Sequence, residues 1–160
     1  MLDYIFLVHG GFVLNYDKSN HDILKRSLEF CIISPSTSCI NRGLLKKYNG
    51  FDESLICCED YDLWLKILLE HEVCFIEDYL TKKYGGHDDQ LSTSFVAMDY
   101  FKVRSLSNIL LNYNPDIEKK QLIIEVLLRK SEQLLKGYIK HSNLSNYDEI
   151  LALNRYWKTL

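Results

Sequence analysis

Cys58-Glu59-Asp60-Tyr61-Asp62-Leu63-Trp64-Leu65-Lys66-Ile67 is the stretch around which this chain is organised. Two adjacent carboxylates open it. Leu63, Ile67 and Leu68 then recur at offsets of four and five, with Trp64 beside them. That spacing predicts a helix from about Glu59 to Glu70 with one apolar side. Glu59 and Asp60 fall in its first turn, and burial of the apolar side would carry them to the edge of a cleft. Upstream, Asn49-Gly50-Phe51-Asp52-Glu53 makes a turn. Downstream, Gly85-Gly86-His87-Asp88-Asp89-Gln90 sets a histidine and two acids on a glycine-loosened loop.

Working outward toward the N-terminus, Asn41 is a good N-cap for a short helix from Arg42 to Tyr48. Asn49-Gly50 closes that helix in a left-handed turn. Cys31-Ile32-Ile33 and Cys39-Ile40 read as extended, separated by Ser34-Pro35-Ser36-Thr37-Ser38, where Pro35 biases Ser34 away from helix. His21 to Phe30 is a helix. Tyr4 to Val8 and Phe12 to Leu14, split by Gly10-Gly11, read as a hairpin. Toward the C-terminus, Val73 to Ile76 is a strand and Tyr79 to Tyr84 a short extended piece. After Ser92 the pattern turns helical over Phe95 to Leu111, Asp116 to His141 and Tyr147 to Trp157, the last two forming an antiparallel pair.

With 160 residues, 47% hydrophobic and 26% charged, the chain has the composition of an ordinary globular domain. Its net charge of −3 is unevenly spread. Between Gly50 and Gln90 stand eleven acids against three bases, Lys66, Lys82 and Lys83. Such a region repels phosphate backbones, so nucleic acid is not an expected partner. The five cysteines form no Cys-x-x-Cys pair, which suggests free thiols in a reducing compartment. No apolar run reaches membrane-spanning length, and no basic segment precedes an apolar one at the start. A cytoplasmic location is expected, with peripheral membrane attachment as a variant of it.

Glu59 and Asp60 carry the first chemical possibility. Acids in a first helical turn complement the helix dipole and need no other reason to be there. Alternatively, Asp60 is a general base that deprotonates an attacking hydroxyl. Asp60-Tyr61-Asp62 mimics an Asp-x-Asp metal motif, but on a helix those side chains lie about 200° apart and cannot chelate one ion. His87 is either a polar surface residue or an imidazole reaching into a cleft toward a metal. Tyr61 and Trp64 suit packing. Ser34, Ser36 and Ser38 lack a base partner or a Gly-x-Ser-x-Gly elbow, so they are poor nucleophiles.

The order of these pieces matters more than any one of them. Ile33-Ser34-Pro35-Ser36, Asn41-Arg42-Gly43-Leu44-Leu45, Tyr48-Asn49-Gly50-Phe51-Asp52-Glu53-Ser54-Leu55, Cys58 to Leu65, and Gly85 to Ser92 follow one another. Together they strongly resemble the second half of family-two glycosyltransferases of the GT-A fold, from about Phe6 to Ser92. The resemblance implies an α/β class: a partial Rossmann-like GT-A domain over residues 1–92, followed by a helical extension over 93–160. It implies sugar transfer from a nucleotide-sugar donor to a glycan or lipid-linked acceptor hydroxyl, usually with inversion. Asp60 matches the family's base and Glu59 its supporting acid. Gly50, Trp64 and Ser36 fall on the substrate side. His87 matches a histidine that joins Mg²⁺ or Mn²⁺ on the donor diphosphate. The family's first strands, nucleotide pocket and Asp-x-Asp ligand have no counterpart before Tyr4. Either a separate polypeptide supplies that donor half, with the metal, or the chain is a truncated frame, inactive alone. A different class stays open: a non-catalytic helical interaction module binding a partner through Asp116 to Trp157.

Overall fold

Where the backbone must leave a helix sharply, this chain uses the same device twice, and both instances are visible in the computed structural model. The structure describes residues 5–8, 20–76, 80 and 97–159, and falls into two units, Met1–Ser94 and Phe95–Leu160.

In the first unit, α1 (Asn20–Glu29) precedes a 3₁₀ turn (Pro35–Thr37), strand β2 (Ser38–Ile40) and helix α2 (Arg42–Lys47). Asn41 caps α2 as its side chain foretells, its Oδ1 accepting from the Gly43 N–H at 2.7 Å. At the other end the Asn49 N–H donates to Lys46 O at 3.2 Å and the Gly50 N–H to Leu45 O at 2.9 Å. This is a Schellman closure, with Asn49 at φ 60° and Gly50 at φ 67°, both left-handed. Helix α3 (Glu59–Leu68) follows, and then strand β3 (Val73–Ile76). α1 packs on α3, and Leu24, Leu28, Leu63 and Ile67 are buried. The Tyr61 hydroxyl donates to Leu28 O at 2.8 Å across that seam.

Strand β1 (Ile5–Val8) lies at the centre of a three-stranded sheet in the order β2-β1-β3. It runs antiparallel to β2, with Phe6 opposite Cys39, and parallel to β3, with Phe6 opposite Cys74. The expected hairpin is therefore corrected. Both edges of β1 are taken by distant strands, so no edge is left for a hairpin partner. Phe12 to Leu14, like Tyr79 and the stretch 81–84, lie outside the described residues.

The second unit holds α4 (Asp99–Asn112), α5 (Ile117–Lys140) and α6 (Tyr147–Lys158), with α4 and α6 both packed on α5. Its core is Val103, Leu106 and Ile109 from α4, Ile123, Val126 and Leu127 from α5, and Ile150 and Trp157 from α6. Two hydrogen bonds between buried side chains join its helices. Asn154 Nδ2 donates to Ser131 Oγ at 2.7 Å, and Trp157 Nε1 to Ser107 Oγ at 2.9 Å. Asp116 caps α5 by accepting from the Lys119 N–H at 2.9 Å. α5 ends in the second Schellman closure: the Asn143 N–H reaches Tyr138 O at 3.0 Å and the Ser142 N–H reaches Ile139 O at 3.2 Å, with Ser142 at φ 53°.

The expected α/β class, a partial Rossmann-like GT-A domain, is not what the chain forms. Among the described residues six helices of 6 to 24 residues dominate, against strands of 4, 3 and 4 residues. A Rossmann-like domain needs a series of parallel strands joined by helical crossovers and covered on both faces. Among the described residues only β1 and β3 are a parallel pair. The α/β expectation rested on the resemblance of short motifs, and such motifs do not determine how many strands surround them or how those strands pair. Cys31-Ile32-Ile33, expected as extended, is not in a strand.

Candidate acidic site at the start of α3

The acidic pair owes its position to an abrupt entry into α3. Cys58, the residue before the helix, has φ 63° and ψ 22° and makes no side-chain cap. A left-handed residue with a Cβ costs roughly 1–2 kcal/mol, yet its carbonyl still accepts the first helical bond, from the Asp62 N–H at 3.1 Å. Capping falls instead to Asp60, whose Oδ1 accepts from the Tyr61 N–H at 2.7 Å. Asp60 and Glu59 are both half-buried. One carboxylate oxygen of Asp60 is thus held by the backbone, and the other is left for a further partner.

Trp64 sits four residues after Asp60 and so on the same side of α3. It is buried, and its Nε1 has no hydrogen-bond partner among the described residues. Its ring meets that of Phe51 edge to face, centroids 6.4 Å apart at 85°. Phe51 remains 42% exposed, so the aromatic surface offered to solvent is Phe51 and not Trp64. The preceding turn is built on Asp52, whose Oδ1 accepts from the Ser54 N–H at 2.9 Å and from Ser54 Oγ at 2.7 Å. Gly50 is held at φ 67° with open space where a Cβ would stand. It is needed there for its conformation, not for room.

Asp62 has a different fate from Asp60. It is buried and paired with Lys66, itself buried, one helical turn on. This pair was not singled out from the sequence, although the Asp-to-Lys spacing of four was there to be read. A second polar cluster, also unforeseen, ties the end of α2 to the end of α3. Lys47 Nζ meets Glu70 Oε2 at 2.5 Å and His71 Nε2 at 3.2 Å, and the Tyr48 hydroxyl donates to Glu70 Oε2 at 3.0 Å. Lys47 first, and Tyr48 second, hold the Glu70 carboxyl below its usual range.

Other expected participants are not brought to this place. Ser36 lies exposed in the 3₁₀ turn, its Oγ 3.1 Å from Ser34 Oγ. His87, with Gly85, Gly86, Asp88, Asp89 and Gln90, lies outside the described residues. Among the described residues no group of three or more His, Cys, Asp or Glu could hold a metal ion. All five cysteines are free, Cys57 and Cys58 buried. No described helix is long and apolar enough to cross a membrane.

No family model, curated protein or solved structure matches this chain.

Proposed function

We propose that the chain carries the base-bearing, acceptor-side part of a glycosyltransferase, which moves a sugar from a nucleotide-sugar donor to a hydroxyl of a glycan or lipid-linked acceptor. One observation carries this reading: the ordered run from Gly50 through Trp64, in which a left-handed glycine turn leads into a Glu-Asp pair opening a buried helix. The proposal concerns chemistry and not the Rossmann-like architecture.

In this reading Asp60 is the general base. Its Oδ1 is anchored on the Tyr61 N–H, so Oδ2 takes the acceptor proton. The acceptor oxygen bonds to the anomeric carbon as the bond from that carbon to the diphosphate oxygen breaks, and the nucleotide leaves with the electron pair. Glu59 orients the acceptor, and the exposed face of Phe51 gives a sugar ring an apolar surface to lie against. A divalent ion would neutralise charge on the departing diphosphate. The described residues do not supply its ligands, so no step here is routed through it. The donor would be presented by residues outside those described or by a second polypeptide.

A second reading is favoured by the apolar side chains that the helical unit leaves exposed, Leu111, Ile117, Ile139 and Leu144. It makes that unit a non-catalytic interaction module. Transfer of labelled sugar from a panel of nucleotide sugars, in extracts of cells expressing the chain, separates the two. Asp60→Asn should lower transfer by about 10²–10⁴-fold while leaving donor binding nearly intact. Equal turnover removes Asp60 from the mechanism, and no transfer above an extract lacking the chain leaves the interaction module.

A further inference from the structure

Beside the first turn of α3 lies a buried donor that no described residue uses. Trp64 is 3% exposed, and its Nε1 has no hydrogen-bond partner among the described residues. A buried N–H left unpaired is a standing cost to the fold, so this indole favours a ligand that brings an acceptor oxygen. Large side chains on a helix cover the turn N-terminal to their own Cα. For Trp64 that is the turn holding Asp60, four residues before it.

The surface that a ligand meets first is aromatic. Phe51 packs on the Trp64 ring edge to face and stays 42% exposed. Its free face suits the C–H side of a sugar ring. Exposed side chains also change rotamer within nanoseconds, so Phe51 is placed to shift and admit a ligand oxygen to the indole.

Charge decides which sugar. From Gly50 to Leu65 the chain carries five acids and no Lys or Arg. Asp62 is paired with Lys66. Glu59 and Asp60, adjacent and half-buried, form no ion pair with any described residue. Two neighbouring carboxylates partly withdrawn from water attract a cation, are indifferent to a neutral group and repel an anion.

We propose that the acceptor taken up here is an amino sugar. Its ammonium faces Glu59, a hydroxyl faces Asp60, its C–H side lies on Phe51, and a further oxygen accepts from Trp64 Nε1. The hydroxyl, not the nitrogen, remains the group that attacks. This rests on the acceptor-side reading above and narrows its substrate class to cationic sugars.

Titration calorimetry of the full chain, without donor, tests the proposal with the methyl glycosides of glucosamine, N-acetylglucosamine, glucose and glucuronic acid. The four share a ring and differ in charge. The glucosaminide should bind about tenfold or more tighter than the acetylated and neutral sugars, with the glucuronide weakest. Raising salt from about 0.05 to 0.5 M should shrink that gap, and Glu59→Gln should remove most of it. Trp64→Phe should weaken the sugars together and keep their order. Phe51→Ala, at an exposed position, should do the same with little change in melting temperature. Equal binding of the acetylated and free amines, a preference that survives Glu59→Gln, or no saturation by any of the four would each overturn the proposal. Failure of the transfer reading shows differently, as equal turnover of Asp60→Asn with this ranking of sugars intact.

Discussion

Helices α3 and α5 bury themselves in opposite ways. In α3 eight consecutive residues, Tyr61 to Leu68, are buried, among them Asp62 and Lys66. In α5 seven of 24 residues are buried, and they fall at Ile123, Val126, Leu127, Lys130, Ser131, Leu134 and Tyr138. That is one stripe at helical spacing, with the remainder turned to solvent. α5 is held by a single seam, whereas α3 is covered on every side and must satisfy its charges internally. Apart from Lys130, which is buried and paired with Asp99, the charged groups of α5 reach water, whereas the Asp62–Lys66 pair depends on the protein around it.

The sharpest way to break this contrast is to remove one member of the buried pair. Lys66→Ala should cost about 3–5 kcal/mol, because Asp62 would stay buried in α3 without its lysine. Chemical denaturation measures it, and a loss under about 1 kcal/mol would mean that α3 is as wet as a surface helix.

Left-handed residues give a finer comparison. Ser142 and Cys58 share nearly the same φ, but Ser142 is exposed and Cys58 buried. Ser142→Gly should stabilise the chain by roughly 0.5–1 kcal/mol. Cys58→Gly should come out near zero, since relief of about 1 kcal/mol of backbone cost is offset by the lost burial of a thiol-bearing side chain of similar worth. Paired thermal melts of the two variants check this. Equal gains would mean that the Cys58 side chain contributes no packing.

The smallest effect belongs to the cluster at the end of α3. The Glu70 carboxyl is held low by Lys47 and Tyr48. Its folded pKa lies below its unfolded one, so its contribution is present above the unfolded value and fades as pH falls through the folded one. Half of the side chain is exposed, which limits the contribution to a few tenths of a kcal/mol. Glu70→Gln should therefore be slightly less stable than the parent at neutral pH and indistinguishable from it in acid. A difference that persists at about pH 2 would mean that the residue acts through packing instead.

Local signals in this chain spoke clearly wherever a few neighbouring residues settle the backbone. Asn41 as a cap, Asn49-Gly50 as a left-handed closure, Asp116 as the start of α5 and the stripe along that helix are all short-range features, and the folded chain has them. The Glu59–Asp60 pair was likewise visible as the opening of a helix. What failed was anything depending on partners far away in sequence. The neighbours of β1 are 31 or more residues distant in the register, and no hairpin signal near Gly10-Gly11 could reveal them.

The residues alone determined where helices begin and end, because capping and periodicity are decided within one or two turns. Tertiary structure alone decided that Asp60 keeps one oxygen open while Asp62 is sealed against Lys66. The two acids stand two residues apart and look alike on paper. Burial separates them, and burial is a property of whatever the rest of the chain packs over each side chain.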